Sequence, residues 1–429
     1  MRPRRWRTGI VVAALALATP LTAYAAVHHA TADRGDAEQR HAAQLSVDRQ
    51  AGNGEQEWRA GWRAAPQPPV ASGPSHDGFT NRTVRMVVRP TVSGPAVRIR
   101  LSNRYGTAAL RVGRVAVAEQ DTGPIVVAAT QRAATFVGAG TVTIPAGEEV
   151  VSDPVPVRAR AGRHLVVSVY LTGPTGPATW HNKAQATSYV SGGGDWATEP
   201  GGSPYQAITP SWFFLDGVDV LSRPVRGTVV AFGDSITDGS FSTIDADHTY
   251  PDRLADRLAR WAVLNEGIGG NAILTDTAGG GQSALHRFRH DVLDQPGVTS
   301  VVLLEGVNDI GAGATAAQLE AGMTQLVELA HAHCLRIVGG TITPFHGSVY
   351  DTPAHEQTRQ AVNRWIRTSG TFDAVADFDR ALRDPADPLT IDPRYHTVGD
   401  LHPNDRGYQV MANTIDRADL ARQPGCRHG

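Results

Sequence analysis

Cysteine is nearly absent: the 429 residues hold two, Cys334 and Cys426. This excludes a disulfide-built scaffold and any zinc module made from cysteines, and it leaves room for one bridge at most. Lysine is rarer still, with Lys183 alone among 40 basic residues and the rest arginine. Neither sign of charge is in excess. A net charge of −2 gives no basic field for nucleic acid, which is therefore not an expected partner, and no acidic tail. Long apolar runs are missing except at the N-terminus, so no later segment reads as a membrane span. The glycine run Gly279-Gly280-Gly281 lacks the lysine of a phosphate-binding loop. What remains is ordinary globular composition, 41% hydrophobic, in a chain long enough for two or three domains.

The first segment reads as an address. Arg2, Arg4, Arg5 and Arg7 precede an apolar stretch from Gly9 to Thr19, and Ala23-Tyr24-Ala25 supplies small residues at the spacing of a signal-peptidase site. Residues 1–27 are therefore expected to be a signal peptide and the protein to be secreted. The alternative is an uncleaved anchor, since Gly9 to Val27 approaches the length of a bilayer span, although Thr19, Pro20 and Thr22 interrupt it. Residues 28–55 are polar and without periodicity, as in a flexible linker.

From residue 56 to about 222 short β-branched runs recur between Gly/Pro turns: Thr83 to Val88, Ala96 to Leu101, Leu110 to Val117, Thr141 to Ile144, Leu165 to Leu171 and Trp212 to Leu215. Many short strands with frequent turns predict a β-sandwich-like accessory domain. Its tryptophans, Trp58, Trp62, Trp180, Trp196 and Trp212, read as core, with a sugar-stacking platform as the alternative.

From residue 223 to the end the texture changes. Strand candidates (Thr228 to Phe232, Val263 to Asn265, Ser300 to Glu305, Arg336 to Ile342, Ala374 to Phe378) alternate with amphipathic stretches (Tyr250 to Trp261, Gln282 to Leu293, Ala316 to His333, Ala354 to Thr368, Asn404 to Leu420). Apolar strands alternating with helices predict an α/β fold, a three-layer, flavodoxin-like domain around a parallel sheet.

Chemistry-bearing residues fall at loops after these strands. Gly233-Asp234-Ser235 ends the first. Gly267-Ile268-Gly269-Gly270-Asn271 follows the second, and Gly306-Val307-Asn308-Asp309 follows the third. Asp400-Leu401-His402-Pro403 precedes the last helix. Strand C-termini share one edge of a parallel sheet, so the first three blocks meet in space. A serine there attacks a carbonyl once a base takes its proton; His402 can be that base. Gly270 can offer an unobstructed backbone N–H and Asn308 a side-chain N–H to a developing oxyanion. His286 and His290, one helical turn apart, lack a third convergent ligand and read as a solvated face.

The blocks GDSITDG, GIGGN, GVND and DLHPND resemble those of the SGNH (GDSL) hydrolases, over about residues 226 to 421. The resemblance implies a metal-free, cofactor-free ester hydrolase. In it Ser235 is nucleophile and oxyanion donor, Gly270 and Asn308 are further donors, and His402 is the base. Asp234, Asp238 and Asp309 support the loops. The β-rich region followed by such a domain resembles a secreted two-domain branch of the family. The family spaces its acid as Asp-x-x-His, but Gly399 stands three before His402 and Asp400 only two. Asp400 is the expected acid, with Asp392, Asp405 or a backbone carbonyl as alternatives. The expected substrate is a small-molecule or glycan ester with a short acyl chain. A lipase on longer chains, an acyl transferase and a non-catalytic glycan-binding module are the other readings. The expected assembly is a monomer. An exported chain with two cysteines also permits a Cys334–Cys426 disulfide.

Overall fold

The protein is described from a computed structural model covering residues 56–397 and 401–421. The expected signal peptide, the linker, Asp400 and Cys426 lie outside the described residues.

Five parallel strands form the second half. In spatial order they are Ala262–Gly267, Thr228–Gly233, Val298–Leu304, Arg336–Gly340 and Ala374–Ala376. In chain order this is 2-1-3-4-5, the flavodoxin-like arrangement, and ligands bind where the winding reverses, between strands one and three. Every residue of Thr228–Gly233 and Val298–Leu304 is buried. That is why both read as unbroken apolar runs: helices cover both faces of the sheet. The core joins Val229, Phe232, Val301 and Leu303 of the sheet to Leu254, Phe288, Leu326, Val362 and Met411 of the helices.

Helix ends depart from the expected ones for local reasons. The fifth strand stops at Ala376 because the Asp377 side chain accepts from Arg380 N and starts the helix Phe378–Leu382. The stretch expected over Gln282 to Leu293 is the helix Ala284–Phe288 running into a π-helical turn, Arg289–Leu293. The last helix, Asp405–Thr414, is capped by Asn404 and ends where Ile415 turns extended.

The first half is antiparallel. One sheet orders Glu57–Arg63, Leu215–Ser222, Val97–Ser102 and Glu149–Val151; a second is built on Arg82–Val88, Leu165–Leu171 and Leu110–Thr122. Val97, Ile99, Val218 and Val220 from one sheet share a core with Val84, Met86, Val115, Val167 and Val169 from the other. Trp62, Trp180 and Trp212 belong to that core, Trp58 stacks under Arg98, and Trp196 is partly exposed.

The two halves interlock. Ala60 packs in the α/β core and Ala262 in the β core. Arg63 Nε donates to Gln295 Oε1 at 2.6 Å, and Tyr105 Oη donates to Gln282 Oε1 at 2.9 Å. No helix among the described residues is long and apolar enough to cross a membrane.

Candidate active site

Ser235 stands at the first position of a one-turn helix, Ser235–Asp238, directly after the strand Thr228–Gly233. Asp234 makes that turn: its Oδ1 accepts from Ile236 N at 2.8 Å. The Ser235 N–H, at the first helical position, has no acceptor within the helix and faces outward from its positive end. The Ser235 hydroxyl lies 2.7 Å from His402 Nε2. His402 is brought there from just before the helix Asp405–Thr414, and the exposed Phe241 ring stacks on it at 5.1 Å.

The loop after the second strand is drawn to the same place. Ile268 N donates to Gly233 O at 2.9 Å, and Gly269 N donates to Asp238 Oδ2 at 3.0 Å. Gly267 is forced by this approach, since a Cβ there would sit 2.1 Å from Asp238 N. Gly270 has φ +79°, a left-handed turn that favours glycine.

Asn308 comes from the third strand's loop. Its Nδ2 donates to Asn271 O at 2.7 Å and its Oδ1 accepts from Tyr350 Oη at 3.0 Å. With those two bonds fixed, one amide hydrogen of Asn308 is left to donate elsewhere. Asp309 holds the far end of the glycine loop, accepting from Ile273 N at 2.8 Å and Leu274 N at 3.0 Å.

The four expected blocks thus come together on the C-terminal edge of the sheet at its switch point. Asp400, the expected acid, lies outside the described residues. The two named alternatives are engaged elsewhere: Asp392 by Arg394, and Asp405 by Thr243 and by His248 Nδ1 at 2.7 Å. His290 corrects the reading of a solvated histidine face. Only His286 is exposed, beside Asp276, whereas His290 is wedged between Asp291 and Glu149.

Three supporting residues escaped the sequence reading. Tyr350 orients Asn308. Arg287, fully buried, reaches Asn271 Oδ1 and the carbonyls of Gly233 and Glu266, and pairs with Asp291. The signal for Arg287 was present: it shares a helical face with Ala284 and Asp291, all buried. His181 arrives from the β-rich half, where no local pattern marks it. Its Nδ1 faces Ala65 O at 3.0 Å and its Nε2 faces Asp238 Oδ1 at 3.1 Å. A cavity of about 300 Å³ lies beside this pair, lined by His164, His181, Trp212, Asp238 and Asp247, and it reaches neither Ser235 nor His402.

Both partners of His181 are acceptors, so both ring nitrogens donate when the ring is charged. Burial alone would lower its pKa, but the Asp238 carboxylate raises it above the ordinary imidazole value. Burial pushes the Asp234 carboxyl up to about 7, with repulsion from Asp309 and Asp238 adding to it. Each group binds its proton more tightly folded than unfolded. The stability each contributes is full below its unfolded pKa and is lost as pH rises through the folded one. The unfolded values are about 3.9 for Asp and about 6.5 for His. The melting temperature should therefore fall steadily from about pH 5 to about pH 8. A melting temperature that rises over that interval in a buffer series would contradict this account of the two groups.

Residues 231–410 match the model of the GDSL-like Lipase/Acylhydrolase family. No curated protein matches the chain. Among solved structures the chain is similar to a lipolytic protein of the G-D-S-L family from Desulfitobacterium hafniense, with 19% identity over 44% of this chain and 97% of that one, TM-score 0.36. It is also similar to a GDSL-like lipase from Bacteroides thetaiotaomicron, with 22% identity over 46% and 91%, TM-score 0.35. A third is an acetyl xylan esterase from Geobacillus stearothermophilus, with 20% identity over 46% and 97%, TM-score 0.36.

Proposed function

We propose that the protein, whose residues 231–410 match the model of the GDSL-like Lipase/Acylhydrolase family, is an exported serine esterase that cleaves short-chain or carbohydrate O-acyl esters through an acyl-enzyme. The observation that carries this reading is the 2.7 Å contact of Ser235 Oγ with His402 Nε2, beside the Gly270 turn and the half-committed amide of Asn308. Export rests on the arginine-rich, then apolar, N-terminal sequence.

The reaction follows from the groups. Ser235 Oγ attacks the ester carbonyl as its proton passes to His402 Nε2. The carbonyl oxygen becomes an oxyanion and accepts from the Ser235 and Gly270 N–H groups and the remaining Asn308 hydrogen. The C–O bond to the alcohol breaks, and His402 returns the proton to the leaving oxygen. Water then takes the alcohol's place: His402 removes its proton, the hydroxyl attacks the acyl carbon, and Ser235 leaves with the proton back on Oγ.

A polar rim favours a polar leaving group. The stem of Lys183 lies against Gly269, and Gln67 Nε2 donates to Gly279 O at 3.2 Å at the edge of the same loop. Exposed Phe241 and Ile244 on the His402 side favour a second reading, an apolar seat for a longer acyl chain. Hydrolysis of p-nitrophenyl esters from acetate to laurate separates them. Rates highest on acetate and butyrate are expected; rates rising with chain length make the enzyme a lipase. A fluorophosphonate probe should label the protein once per chain, and failure to label folded protein would favour a non-catalytic glycan-binding module.

The donors give a graded prediction. Asn308→Ala should lower kcat by about 10²–10³, the usual cost of one oxyanion donor. Tyr350→Phe keeps Asn308 but frees its Oδ1, so kcat should fall by about tenfold, part of that same donor's worth, with KM unchanged. A Tyr350→Phe effect confined to KM would remove Tyr350 from the positioning of Asn308.

A further inference from the structure

Away from Ser235, the seam between the two halves holds a second cluster of chemistry. Glu149 and Asp216 come from the antiparallel sheet, and His290 from the π-helical turn after the second parallel strand. One carboxylate oxygen from each acid and a His290 ring nitrogen all lie within 4.8 Å of one another. They border a cavity of about 130 Å³ that Glu266 and Asp294 also line.

Two features set this cluster apart from an ordinary acidic patch. First, carboxylate oxygens are buried there with nothing to meet them. Asp216 Oδ1 and Glu266 Oε2 have no hydrogen-bond partner among the described residues, in side chains of residues only 6% and 2% exposed. A buried carboxylate left this way is costly unless a cation joins it. Arg63 and Arg100 at the cavity favour the charged form of Asp216 through space, but among the described residues neither comes within ion-pair distance of Asp216 or Glu266. Arg63 bonds Asp219 and Gln295, and the nearest acid to Arg100 is Asp219, with Nη1–Oδ2 at 3.6 Å.

Second, the histidine is already oriented from behind. His290 Nδ1 faces Asp291 Oδ1 at 2.6 Å, and Asp291 is in turn held by Arg287 Nη1 at 2.9 Å. Nε2 is thereby aimed at Glu149, 3.0 Å away, whose Oε1 also accepts from Ser102 Oγ at 2.9 Å. A carboxylate behind one imidazole nitrogen with the other turned to two carboxylates is the geometry that fixes a metal-binding histidine.

We propose that Glu149, Asp216 and His290 bind one divalent cation that clamps the antiparallel half onto the parallel-sheet half. One imidazole with two carboxylates suits a borderline first-row ion, zinc foremost, better than calcium or magnesium, which take oxygen alone. Zinc ligands stand about 2 Å from the metal, so the widest pair in the cluster closes by at most about 1.5 Å on binding. The site lies outside the machinery of ester cleavage, and its role is structural.

The test is calorimetric titration of the chelator-treated, dialysed full chain with ZnCl₂ at neutral pH, beside Asp216→Asn and His290→Gln. The wild type should take up one zinc per chain and gain melting temperature. Each variant should lose at least about 100-fold in affinity, beyond the 10–100-fold that loss of a supporting partner costs. Asp216→Asn preserves shape, so an unchanged circular dichroism spectrum and unchanged p-nitrophenyl acetate turnover show that it folds and lacks only the ligand. No heat and no melting shift in the wild type overturns the proposal, and so does a zinc site that survives both substitutions, which would place the ion on other histidines. Loss of zinc binding with esterase activity intact, or the reverse, separates this clamp from the ester-hydrolase reading.

Discussion

Ser235→Ala should lower turnover of p-nitrophenyl acetate by at least about 10⁴-fold, equivalent to about 5.5 kcal/mol of barrier, while the melting temperature stays within about 1 °C of wild type. The two halves of this expectation have separate causes. Turnover collapses because the attacking oxygen is the Ser235 Oγ that stands 2.7 Å from His402 Nε2, and alanine has no hydroxyl to put in its place. What remains comes from the oxyanion donors and binding alone, which survive loss of a nucleophile in other serine hydrolases. The fold survives because Ser235 is not the cap of its own helix. Asp234 carries that role, and alanine is the better helix former at the first position. The experiment pairs initial rates with a thermal melt and fluorophosphonate labelling of each protein. A variant that keeps a tenth or more of the wild-type rate would remove Ser235 as nucleophile. A variant that melts far below wild type would show instead that Asp234 does not hold the turn alone.

The parts of the fold legible in the sequence are those whose signal is local. Thr228–Gly233 and Val298–Leu304 are buried on both faces, and continuous apolar runs say so directly. The loops that end them carry Gly, Asp, Ser and Asn where the backbone must turn tightly and leave donors free. The strand Leu215–Ser222 was illegible past its start for the opposite reason. Asp216 and Asp219 break its apolar pattern, and only the fold shows Arg63 and Arg100 brought from other strands to face Asp219. His181 is the extreme case. It lies 57 residues before Asp238 in the chain, and nothing near it hints that it supports the helix of the nucleophile. Tyr350 likewise meets Asn308 across 42 residues of chain, through a loop that no periodicity marks. Local propensity finds where the reacting groups sit, and long-range polar contacts decide how firmly they are held.

Arg287 is where those long-range contacts concentrate, and Arg287→Ala should cost about 3–5 kcal/mol of stability, the usual penalty for breaking a buried ion pair by removing one partner. The side chain is 2% exposed and its guanidinium lies 4.0 Å over the Phe232 ring. Its donors satisfy Gly233 O at the end of the first strand, Glu266 O near the end of the second and Asn271 Oδ1 in the glycine loop, besides Asp291. Alanine leaves all of these acceptors buried and Asp291 with His290 as its remaining cationic partner, so desolvation is less fully offset. At an unfolding entropy near 2.1 cal/mol/K per residue, a loss of this size in a chain of this length lowers the melting temperature by about 5 °C. Lysine should not restore it, because one ammonium cannot span a fork of acceptors that lie in different directions. Activity adds a readout that a purely structural role would not move. Asn271 O holds Asn308, so in variant protein still folded at 25 °C kcat should fall while KM stays within about twofold, the pattern of a lost transition-state contact. A melting temperature within about 1 °C of wild type, or a kcat unchanged in folded protein, would show that the strand ends and the glycine loop hold their places without the arginine.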